Sequence, residues 1–131
     1  MKVLLDSNAI KNIKMFQTLT PAYVIDCAEN EDTIYFVIKS SRINIDNKKV
    51  RNIERLFRKR LRIIRFSKNL ETFVKELVPE AINIIRDGDK IKLTVRKYDR
   101  PRVVGKNKKN LIIVERFLKR FFDISEVKIN W

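Results

Sequence analysis

The 131-residue chain contains no histidine, which excludes an imidazole general base, a histidine-containing zinc site and a Ser-His-Asp triad. Its single cysteine, Cys27, permits neither an internal disulfide nor a CxxC pair. Set in an apolar stretch, Cys27 is expected to be a small buried hydrophobe. With only Gly88 and Gly105, neither a GxGxxG fingerprint nor a Walker A loop can be written. The longest unbroken apolar runs, Ile34–Ile38 and Leu111–Val114, are too short to span a bilayer. Asp6 interrupts the start before a signal-peptide apolar region can form. These absences predict a soluble cytoplasmic protein that is not an enzyme, needs no cofactor or metal, and has no membrane partner.

Basic residues, in contrast, are abundant. Thirty Lys and Arg stand against 16 Asp and Glu, a formal charge of +14, while hydrophobic residues make up 44% of the chain. That is too apolar for a disordered tail and enough for a core. The excess is spread evenly: residues 1–66 carry 14 basic and 7 acidic side chains, and residues 67–131 carry 16 and 9. So the charge is not a detachable arm. Self-repulsion of this size opposes compactness, and the favoured explanation is a polyanionic partner, nucleic acid first.

Hydrophobic periodicity gives an order of elements. Ile10, Ile13 and Phe16 predict a helix from Asp6 to Phe16, with Asp6 or Ser7 as its N-cap. Tyr23–Cys27 and Thr33–Lys39 read as a hairpin turning through residues 28–32. After a polar stretch, a helix is expected from Val50 to Arg60, with Val50, Ile53 and Phe57 on one face and Arg51, Arg55 and Arg58 on another. A strand follows at Leu61–Phe66. The second half repeats the order: a helix at Leu70–Leu77, a hairpin of Ala81–Ile85 and Lys90–Arg96 turning at Gly88, and a basic stretch from Tyr98 to Lys109. A helix to Phe121 and a strand at Glu126–Asn130 complete it.

Residue identities carry the same repeat. A shift of 61 positions lays Ile53-Glu54-Arg55-Leu56-Phe57-Arg58-Lys59 on Val114-Glu115-Arg116-Phe117-Leu118-Lys119-Arg120, Ile43 on Val104 and Val50 on Leu111. The halves are therefore taken as residues 1–67 and 68–131. Each would be marginal alone, so they are expected to be fused as one rigid body.

The stretch Pro101 to Leu111, with Val104 before Gly105 and Asn110-Leu111 opening the next helix, resembles the G-x-x-G loop of a prokaryotic-type KH domain. Two such units in tandem resemble the archaeal NusA-like transcription termination/antitermination factors. The resemblance implies an α+β fold of two tandem type II KH-like units. Each would run helix-strand-strand-helix-helix-strand, with a three-stranded sheet packed on helices. It further implies a monomeric single-stranded RNA-binding protein that acts on nascent RNA, with RNA polymerase as a further partner.

The loop departs from the pattern. Unit 2 reads Gly105-Lys106-Asn107-Lys108, without the last glycine, and the 61-residue shift places the unit 1 loop at Asn44-Ile45-Asp46-Asn47, with neither. Asn tolerates left-handed backbone, so the unit 1 loop shape is expected to survive while Asp46 would face a phosphate. Unit 2 is the expected working clamp. For unit 1, weakened binding and a purely architectural role both stand.

The implied RNA contacts are Arg102, Val104, Gly105, Lys106, Asn107, Lys108, Lys109 and Leu111 in unit 2, with Arg42, Asn44, Asn47, Lys48 and Lys49 in unit 1. A clamp needs a small residue where backbone meets phosphate, and a positive helix N-terminus aimed at the anion. Val104, Leu111, Ile43 and Val50 are candidates for an apolar floor under the bases, against ordinary core packing. Phe57, Phe66, Phe73, Phe117 and Phe121 read as core, and Tyr98, just ahead of the basic loop, is the exception to test for base stacking. Two other roles remain: a scaffold docked on polymerase through degenerate KH units, and an RNA-binding factor of ribosome assembly or RNA processing.

Overall fold

The computed structural model describes residues 6–39 and 43–131. Among these, no helix is long and apolar enough to cross a membrane. The chain divides between Phe66 and Ser67 into two compact units. Unit 1 holds α1 (Ser7–Leu19), β1 (Val24–Glu29), β2 (Thr33–Ile38), α2 (Asn47–Phe57) and β3 (Arg60–Arg65). Unit 2 holds α3 (Leu70–Leu77), β4 (Asn83–Asp87), β5 (Lys90–Thr94), α4 (Arg100–Val104), α5 (Lys109–Phe122) and β6 (Glu126–Asn130).

Each unit is α+β with a three-stranded sheet, in the orders β1-β2-β3 and β4-β5-β6, and together they are two tandem KH-like units. The first two strands of each sheet form an antiparallel hairpin, and the third lies parallel to the second. A parallel neighbour cannot be reached by a tight turn, so the chain must cross over. The helices α2 and α4–α5 are those crossovers.

In unit 1, Ile34, Phe36 and Ile38 of β2 pack with Ala9, Ile13 and Phe16 of α1 and Ile53 of α2. The rings of Phe16 and Phe36 stack at 4.3 Å. In unit 2, the Phe73 ring lies 5.6 Å from that of Phe121 and 5.5 Å from that of Phe122, and Leu93 and Phe117 are fully buried. The phenylalanines read as core are buried at Phe73 and Phe117 and half-buried at Phe57, Phe66 and Phe121. Cys27 is buried as expected.

Several boundaries shift for local reasons. Asp6 is the α1 cap, its carboxylate accepting from the Ala9 N–H at 2.7 Å, and the helix continues past Phe16 to Leu19. The first hairpin turns at Asn30, later than the composition suggests. The Asn30 side-chain oxygen accepts from both Asp32 and Thr33 N–H at 3.0 Å, so pairing persists to Glu29. Helix α2 runs from Asn47 rather than Val50, because Asp46 caps it, and ends at Phe57 because Arg58 turns left-handed at φ 58°.

The two units differ in one respect that bears on function. Between β5 and α5, residues 95–108 include α4. Between β2 and α2 lie only residues 39–46, and among the described residues of that stretch there is no helix, although two helices were expected to cross between the strands of each unit. The unit 1 connection is too short to copy the helix–loop–helix of unit 2.

Candidate nucleic-acid interface

Helix α4 carries Pro101 in its first turn, where a missing N–H costs nothing. It stops at Gly105, whose φ of 77° and ψ of 165° belong to a region essentially reserved for glycine. The Gly105 N–H donates to the Pro101 carbonyl at 2.8 Å, and the Lys108 N–H donates to the Gly105 carbonyl at 3.1 Å. Asn107 and Lys108 both take left-handed backbone, at φ 57° and 62°. Three of the four loop residues thus have positive φ.

The loop's own packing also asks for the glycine. A β-carbon at Gly105 would collide with Asn110, whose side-chain amide donates to the Arg102 carbonyl at 2.9 Å. That bond ties the end of α4 to the start of α5. Gly105 is therefore required by the loop's own packing.

Beyond the loop, α5 begins at Lys109 with no side-chain cap and no acidic residue in its first turn. Lys106, Asn107 and Lys108 are exposed, and Lys109 is half-buried. Three lysines gathered at the positive end of a helix dipole oppose stability by a few tenths of a kcal/mol each or more. An anion at that end would relieve the cost. Glu115, further along α5, has its carboxyl raised above the usual range, chiefly by burial. The neighbouring Lys108 pulls it back, and Glu126 pushes it up.

Arg102, expected to touch RNA, is held within its unit by Asp99 at 2.6 Å and Glu80 at 3.2 Å. Its charge is largely compensated there. Val104 is half-buried beside the loop and Leu111 is buried, so Leu111 serves the core first. Tyr98, the exception among the aromatics, is 76% exposed.

Unit 1 does not keep the loop shape. Neither Asn44 nor Asn47 has positive φ, and Asn47 is already the first residue of α2. Asp46 is exposed at the start of α2. Its carboxylate turns back to accept from the Lys49 N–H at 2.8 Å, and so occupies the helix end that an anion would use. Asn44, Asn47, Lys48 and Lys49 are exposed, while Ile43 and Val50 pack against the core; Arg42 lies outside the described residues.

Arg51, Arg55 and Arg58 share one face of α2, as their spacing predicts. The structure adds that they line an open recess of about 750 Å³ with Arg60, Lys59, Glu31, Asp32 and Glu54. Glu54 is partly committed there, since its carboxylate accepts from the Leu61 N–H at 2.9 Å.

No family model matches the chain. Curated proteins named "Probable transcription termination protein NusA" do match along it. The one from Methanococcus vannielii is 25% identical, over 98% of this chain and 80% of its own length. That from Halococcus morrhuae is 23% identical, over 98% and 99%. The Thermoplasma acidophilum protein is 24% identical, over 98% and 96%. The crystal structure of APE1850 superposes with a TM-score of 0.70 over 96% of this chain and 100% of that one, at 19% identity, which speaks to fold alone.

Proposed function

We propose that this chain, similar over nearly its whole length to archaeal proteins named for NusA, is a transcription termination or antitermination factor that binds nascent single-stranded RNA. The observation that carries the reading is the start of α5. An uncapped helix N-terminus, preceded by two left-handed residues and surrounded by Lys106, Lys108 and Lys109, suits a backbone phosphate. Phosphates there would accept from main-chain N–H groups and meet the lysines as point charges. Such contacts position a strand without reading its sequence. Unit 2 is the clamp in this reading.

The test is a titration of labelled single-stranded RNA at several salt concentrations. Neutralising about four to six phosphates gives a slope of log K against log salt of roughly −3 to −4. A flat response, or no binding at low salt, removes the RNA reading. A second reading, a scaffold docked on RNA polymerase, draws on one observation: Asp46 already fills the helix end in unit 1. Capture of polymerase by protein whose RNA affinity has been abolished would favour it.

A further inference from the structure

We propose that Trp131 is a stacking platform for an RNA base next to the unit 2 clamp, an inference that rests on the RNA-binding reading above. Trp131 is 61% exposed, an unusual position for the largest apolar side chain. The residue before it is anchored in the sheet. Asn130 pairs with Thr94 in the parallel β5–β6 ladder, and its carbonyl accepts from the Val95 N–H at 2.9 Å. The guanidinium of Arg100 lies 4.3 Å from the ring centroid. Arg100 has no carboxylate partner among the described residues, and its Nε is buried without a hydrogen bond. An exposed cation–π pair does little for folding. It does set a guanidinium over the indole, most of which remains in solvent.

The location gives this a use. Arg100 opens α4, and Gly105 closes it. A helix of this length spans about 7.5 Å. A strand held by its backbone at Lys106–Lys108 thus passes the indole within the roughly four nucleotides that a KH unit covers. Single-strand binders gain affinity by stacking bases on aromatic faces, with little dependence on base identity. Arg100 adds a positive charge where the adjoining phosphate would lie.

The chain's one tryptophan makes the test direct. Octameric oligoadenylate and oligouridylate, labelled with fluorescein, are titrated by anisotropy while tryptophan emission is followed with unlabelled oligomers. The expected result is quenching that saturates with the anisotropy curve. Trp131→Leu should bind about tenfold more weakly with an unchanged salt slope, since stacking releases no counterions. Trp131→Tyr should recover most of the loss, and circular dichroism checks that both variants fold. If RNA binds but emission stays flat, or if Trp131→Leu binds as wild type does, the platform is refuted while the clamp stands. No anisotropy change with the wild-type protein at low salt overturns the RNA reading, and this proposal with it.

Discussion

A β-carbon on Gly105 would stand 2.8 Å from the side-chain nitrogen of Asn110. Asn110 cannot easily yield, because that same nitrogen bridges the loop to the Arg102 carbonyl. Gly105→Ala should therefore destabilise unit 2 by about 1–3 kcal/mol of backbone strain, plus the cost of displacing Asn110. In an Asn110→Ala background only the backbone part remains, so the loss should be smaller. Denaturant unfolding of the four proteins of this cycle measures the coupling. Equal losses in both backgrounds would show that Asn110 has no part in it.

Lys108 pays for its left-handed backbone with about 1 kcal/mol. Lys108→Gly should raise stability by roughly that amount, read from thermal or denaturant unfolding. It also removes a charge from the clamp. RNA binding should weaken, and the salt slope should become shallower by roughly 0.7, the share of one phosphate on a single strand.

Reversing Lys106 and Lys108 together to Asp should leave folding nearly intact, because both side chains are exposed. RNA affinity should fall heavily at fixed salt. Ile45 packs against the unit 1 core, so the matching change is made at exposed Asn47, which the repeat lays on Lys108. Asn47→Asp should do much less, because the helix end beside it is already filled by Asp46. Equal losses in the two loops would mean that the units contribute alike.

Asp46 offers a change in the opposite direction. Asp46→Asn keeps an oxygen acceptor for the Lys49 N–H and removes the negative charge. Stability should stay within a few tenths of a kcal/mol, while RNA binding should strengthen if unit 1 lies on the RNA path. Asp46→Lys loses the cap as well and should cost about 1 kcal/mol, which unfolding would report.

Glu115 gives a pH signature. Its carboxyl is raised in the folded protein, mainly by burial, so the native state holds that proton more readily than the unfolded chain. Stability from this group is then lost as pH rises through the folded value and is retained below the unfolded one. Glu115→Gln should accordingly stabilise the protein at neutral pH, and the gain should vanish in acid. Removing this negative charge near Lys108 should also tighten RNA binding.

Much of the architecture was legible in the residues themselves. Apolar spacing marked Ile13 and Phe16, Phe73 and Leu77, and the helix carrying Leu111, Val114 and Leu118. The 61-residue self-similarity exposed two units, since equivalent helices must bury equivalent faces. Composition alone set the expectation of a polyanionic partner, because net charge does not depend on where the chain places it. Tertiary structure decided the rest. That the N-cap of α2 falls on Asp46, which can accept from the Lys49 N–H, and that of α5 on Lys108, which has no acceptor, was settled by where each helix begins. A residue shift that aligned the helices concealed the shorter connection in unit 1. That Gly105 is demanded by Asn110, and that Arg100 lies over Trp131, are contacts between residues five and thirty-one positions apart. Local periodicity carries no information about such pairs; they exist only once the sheet and its crossover helices have brought the chain back on itself.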